Sequence, residues 1–117
     1  MDLSGKLQLK PGLTMCVINA PKTFHWDSLS ERDPRKADAV LAFCTMAADI
    51  DGVGGPAIEA AREDKLSWIA YPKDGSLGTD LNRDILNTHL KALGVQGVRM
   101  VSLDDTWSAM RFRPMKA

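Results

Sequence analysis

Residues 65–94, KLSWIAYPKDGSLGTDLNRDILNTHLKALG, decide the fold. The stretch opens on an apolar run at 66–71 with no polar alternation, the pattern of a strand covered on both faces. A turn rich in Pro72, Lys73, Gly75 and Gly78 follows. An amphipathic helix comes next, with Thr79 or Asp80 as its cap and Leu81, Ile85, His89 or Leu90, and Leu93 on one stripe. Asp84 near its start and Lys91 near its end suit the helix dipole, and Gly94 is a left-handed stop. Strand, loop and helix in this order make half of a βαβ unit.

Working outward, two more runs read as buried strands, 13–18 (LTMCVI) and 38–44 (DAVLAFC). Pro11 and Gly12 introduce the first, and Asn19-Ala20-Pro21 ends it. The connector 22–36 is polar apart from Phe24, Trp26 and Leu29, whose expected work is to seal one face of the sheet; Asp27-Ser28 is a possible start for a turn of helix. After the second strand, residues 46–50 suit a separate helical turn. Pro56 suits the first turn of a helix, behind Gly52, Gly54 and Gly55. The Gly-Val-Gly-Gly string has neither Walker nor dinucleotide-fold spacing. Towards the end, 98–103 and 106–112 are strands split by Asp104-Asp105, too short a link for anything but an antiparallel hairpin. Residues 113–117 read as a tail. The expectation is one α/β domain over 1–117, a small Rossmann-like three-layer fold. Its five-stranded sheet should be mainly parallel and closed by a C-terminal antiparallel hairpin; that ending resembles the closing strands of class I methyltransferase-like folds, and the likeness implies the order 1-2-3-5-4.

Composition narrows the function classes. The 117 residues carry 15 basic and 15 acidic side chains, a formal net charge of zero, with neither the basic excess nor the basic stripe that suits nucleic acid. No run is long enough for a membrane span, and the first ten residues lack the apolar core of a signal peptide, so a cytoplasmic protein is expected. Cys16 and Cys44 lie inside strand runs and, with His25 and His89, match no zinc spacing; reduced, packed thiols are the expectation, and no metal.

LQLKPGLTMCVINAP, ADAVLAFCT, LSWIAYPK with GTDLNRDIL, and DDTWSAMRF occur in order over nearly the whole chain and resemble the bacterial DUF3052 family. The resemblance implies a fold like part of a class I methyltransferase-like Rossmann domain and brings no catalytic residues. The chain departs from the family pattern around Gly52–Pro56, where a more regular helix is expected. A methyltransferase needs a glycine turn after its first strand and an acid after its second to hold the cofactor ribose. Here the turn is Asn19-Ala20-Pro21 and the acidic strand is missing, which argues against S-adenosylmethionine and leaves no expected cofactor.

In open α/β sheets ligands sit beyond the carboxyl ends of the parallel strands. That rule selects Asn19 and Lys22 after strand 1, Thr45 after strand 2, Tyr71 and Lys73 after strand 3, Thr79 and Asp80 at the helix start, and Asp104, Asp105 and Trp107 at the hairpin. Two lysines and a helix N-terminus favour an anion, while the acids oppose a polyanion, so a small anionic or zwitterionic ligand fits. With no nucleophile–base pair, metal cluster or cofactor fingerprint, a non-catalytic ligand- or partner-binding module leads, and an enzyme using the same rim is the alternative. Strand 1 is an edge in this order yet strongly apolar. Either residues 7–10 fold back over it, or a second copy covers it in a homodimer.

Overall fold

The computed structural model describes residues 3–26 and 28–115. A short helix α1 (Leu3–Lys6) precedes β1 (Met15–Ile18) and β2 (Ala39–Phe43). A 3-10 turn over Ala47–Asp49 leads into α2 (Gly55–Arg62), then β3 (Leu66–Pro72), α3 (Arg83–Lys91), β4 (Val95–Ser102) and β5 (Trp107–Pro114). The strands form one sheet in the expected order, β1-β2-β3-β5-β4.

The sheet is mixed, however, not mainly parallel. The β1–β2 and β2–β3 ladders are parallel, whereas β3–β5 and β5–β4 are antiparallel. The reason is that the hairpin returns β5 into the gap between β3 and β4, so one reversed strand makes two antiparallel ladders. β5 also runs on to Pro114, through residues read as tail; residues 116 and 117 lie outside the described residues.

Every residue of β2 is buried, as is all of β3 after Leu66, which is why neither strand alternates. Side chains of one parity, among them Cys16, Val40, Ala42, Ile69, Tyr71, Met110 and Phe112, pack beneath α2 and α3 through Ala57, Ile58, Ala61, Leu86 and Leu90. The other parity, including Met15, Leu41, Phe43, Trp68, Ala70 and Trp107, is covered without a long helix. Leu7 and Leu9 from the N-terminal segment lie there, joined by Phe24 and Trp26 from the connector. Phe24 meets Phe43 edge-on at 4.9 Å, and Phe43 meets Trp107 at 5.1 Å. The Trp68 indole donates to the Leu7 carbonyl at 3.0 Å and fixes the segment to the sheet. Asp27 lies outside the described residues, and Ser28 is not helical.

The outer edge of β1 is met by the chain itself. Met15 donates to the Leu29 carbonyl and accepts from the Glu31 amide, each at 3.1 Å. The connector therefore rounds the β1 edge, with Phe24 and Trp26 on one face of the sheet and Ala37 on the other. The expected fold-back of residues 7–10 exists, but Leu7 and Leu9 cover a face rather than the edge. By the alternation of a parallel ladder, Val17 is left as the open position of β1. At the far edge, β4 is blunted. Asn87 Oδ1 accepts from the Gly97 amide at 2.9 Å, Lys6 Nζ donates to the Ser102 carbonyl at 2.9 Å, and the register breaks between Gly97 and Arg99.

The glycine string before α2 has a packing role. A Cβ on Gly54 would lie 2.4 Å from the Ile50 carbonyl oxygen, whereas one on Gly52 would meet nothing within 4 Å. Gly54→Ala is expected to cost about 1–3 kcal/mol by overpacking against backbone that cannot swing aside. Gly52→Ala, by comparison, should stay within about 0.5 kcal/mol of the parent. Parallel urea titrations of the two variants check this, and equal midpoints would refute it.

Candidate functional site

The positions that the sequence selects divide into three groups. The first is a hydrogen-bonded knot beyond β1 and β2. Asn19, in the left-handed region at φ 58, donates from Nδ2 to the Phe43 carbonyl at 3.0 Å. The Thr79 hydroxyl donates to the Thr45 carbonyl and accepts from the Leu81 amide. Asp80 Oδ1 accepts from the Ala47 amide at 2.7 Å. Thr79 and Asp80 thus tie the β3–α3 loop to the end of β2 and do not cap α3, as they were expected to. The cap is Asn82, whose Oδ1 accepts from the Ile85 amide at 2.8 Å. The predicted stripe is corrected with it: Ile85 is exposed, while Leu86 and Leu90 are fully buried.

The second group sits at the hairpin. Asp104 Oδ1 accepts from the Thr106 and Trp107 amides, both at 2.8 Å, a turn held by its own side chain. Asp105 is exposed and has no hydrogen-bond partner among the described residues. Trp107 is buried on the face away from α2 and α3. Lys22 is exposed on the loop after β1 and joins neither group.

The third group does form a cavity. Tyr71 and Lys73 line a cleft of about 440 Å³ with Asp74, Asn82, Arg83, Asp84, Met100 and Ser108. Residue pairing explains the convergence: Ser108 of β5 lies opposite Tyr71 of β3, and Met100 of β4 reaches over from the next strand. The Tyr71 hydroxyl, at the buried end of the cleft, donates to Met100 Sδ at 2.8 Å, a weak acceptor. Burial raises the Tyr71 pKa; Arg83 opposes the rise, while Asp74 and Asp84 add to it, so three of the charged walls act on one phenol. Lys73 Nζ donates to Ser102 Oγ and to the Asp104 carbonyl, both at 2.5 Å, and is therefore a brace for the hairpin more than a free cation. The amides of Ile85 and Leu86 are both taken by Asn82, which leaves the Arg83 and Asp84 amides as the open donors at the positive end of α3, whose first two residues line the cleft.

Of the ten rim residues, then, Tyr71 and Lys73 share the cleft, and its other six residues were not selected. An Asn-Arg-Asp run at a helix start is a capping signal that the sequence contains. Met100 and Ser108 carry no signal, because only strand pairing brings them beside Tyr71.

Both thiols are packed. Burial pushes Cys44 up to about 12, and burial followed by Asp33 and Glu31 raises Cys16. No group of three or more His, Cys, Asp or Glu side chains able to hold a metal occurs among the described residues. His89 pairs with Asp51 at 2.7 Å on the outer side of α3. No helix is long and apolar enough to cross a membrane among the described residues. Compared with family models, curated proteins and solved structures, the chain matches none of them. The class that fold and cleft define is a five-stranded mixed α/β domain with a polar cleft between its central strands and the start of its last helix.

Proposed function

We propose that this chain is a non-catalytic binding module of the cytoplasm, a Rossmann-like relative of the DUF3052 family, whose ligand is a small zwitterion or anion held in the Tyr71–Arg83 cleft. The observation that carries this reading is the charge of the walls: Lys73 and Arg83 line one cavity with Asp74 and Asp84, and Arg83 Nε lies 3.5 Å from Asp84 Oδ1 in an exposed pair. Two cations and two anions suit a ligand that bears both signs and disfavour a polyanion. Arg83 and the first-turn amides of α3 are matched to the negative end of such a ligand, and Asp74 or Asp84 to the positive end. Neither histidine nor cysteine lines the cleft, which favours binding over the alternative of catalysis. A homodimer through β1 is not part of the reading, since the edge that called for one is met at Met15 by residues 29–31.

Arg83 is the residue to test, because Lys73 also braces the hairpin. A panel of amino acids, small carboxylates and phosphorylated metabolites is screened by thermal shift. A ligand at a hundredfold its Kd is expected to stabilise the protein by about 2.7 kcal/mol. Arg83→Gln should remove that shift and change the unliganded stability by no more than about 0.5 kcal/mol. A panel without a single stabilising compound, or a shift that survives Arg83→Gln, would overturn the proposal.

A further inference from the structure

The face opposite α2 and α3 carries a feature that the even overall charge conceals. Arg99 of β4 is paired with Arg111 of β5, and Arg113 follows two residues on. Residues opposite one another in an antiparallel ladder share a face, as do residues i and i+2 of one strand. Val101 and Ala109 belong to the cluster under the N-terminal segment, so Arg111 and Arg113 stand on that face; Arg99, on the edge strand, is opposite Arg111 and also lines a pocket with Arg83 and Asp84. Like charges set directly opposite repel.

Their compensation is incomplete. Arg113 is held by Asp64 through Nε at 3.0 Å and Nη2 at 3.2 Å. Arg111 Nη1 donates to Gln8 Oε1 at 2.7 Å, a neutral acceptor presented from a backbone in the left-handed region at φ 62. Arg111 Nε is buried without a partner among the described residues. Arg99 is exposed and has no acceptor among the described residues. Burial first, then the positive charges of Arg113 and Arg99, weaken the hold of Arg111 on its proton. Three guanidiniums against one carboxylate leave two positive charges on a small area.

We infer that Arg99 and Arg111, backed by Arg113, bind a phosphate-bearing small molecule, with the Gln8 amide beside it. A phosphate monoester near neutral pH carries close to two negative charges, matching the excess, and its oxygens suit the planar donor fork of arginine. Arg111, Arg113 and Gln8 do not line the Tyr71–Arg83 cleft, so a variant at Gln8 tests this site and not that one.

The probe is inorganic phosphate, titrated at constant ionic strength with chloride as the balancing ion. The readouts are the arginine side-chain Nε–H signals and the β4 and β5 backbone amides in nitrogen–proton NMR spectra. Saturable shifts of Arg111 and its neighbours are expected, with a Kd of about 1 mM or tighter. Arg99→Gln, at an exposed position that leaves the fold intact, should weaken binding about tenfold through loss of a charge-assisted contact. Gln8→Glu, which brings a carboxylate to Arg111, should weaken it too. Shifts that fail to saturate by about 50 mM phosphate would overturn the assignment. Equal binding by the parent, Arg99→Gln and Gln8→Glu would do the same.

Discussion

Trp68→Ala is expected to lower the unfolding free energy by about 3–5 kcal/mol, a large part of the stability of a domain this size. Trp68 is fully buried in β3, with Leu41 of β2 and Arg111 of β5 as its register partners. Truncation opens a cavity between the sheet and the N-terminal segment. It also strips the Leu7 carbonyl of the indole N–H that it accepts. Trp68→Phe keeps much of the volume but not the donor, and should fall between the parent and Trp68→Ala. Urea titration followed by circular dichroism measures both. A loss below about 1 kcal/mol for Trp68→Ala would show that the segment does not close over this face.

Leu7→Ala is the second large effect, at about 2–5 kcal/mol. Leu7 is fully buried although it belongs to a turn after a four-residue helix, in a stretch that shows little pattern. Its neighbours in the cluster, Phe43 and Trp68 among them, would otherwise face water. The informative control is Leu29→Ala: Leu29 lies in the connector with 52% of its surface exposed, and the change should cost no more than about 0.5 kcal/mol. Equal midpoints for the two variants would mean that residues 3–9 are an appendage and not a layer of the core.

The strands were legible because burial on both faces writes itself locally: a run such as AVLAF needs no knowledge of its neighbours to read as a central strand. The hairpin was legible from the shortness of its link, whereas the strand order came from the likeness to methyltransferase-like folds. Phe24 and Trp26 were rightly read as covering a face. The parallel character was overstated, because strand direction and ladder type differ once a reversed strand is inserted between two others.

The start of α3 shows why the site was harder. Thr79, Asp80 and Asn82 are all competent caps, and propensity does not rank them here. The structure gives the role to Asn82 because the end of β2 presents the Thr45 carbonyl and the Ala47 amide, and these engage Thr79 and Asp80 first. The buried stripe then moves from Ile85 to Leu86. Lys73 shows the same dependence: it lines the cleft, and only the folded hairpin brings Ser102 and Asp104 to its ammonium.

The sequence by itself determined the strands, the closing hairpin and the helix that precedes the left-handed Gly94, since these follow from apolar runs, breakers and link lengths over a few residues each. Tertiary structure alone decided the cleft and the arginine row. Tyr71 meets Met100 and Ser108, and Arg99 meets Arg111, only across strand ladders. A polar side chain has several acceptors it could satisfy, and which one it takes depends on what the rest of the chain places within about 3 Å of it.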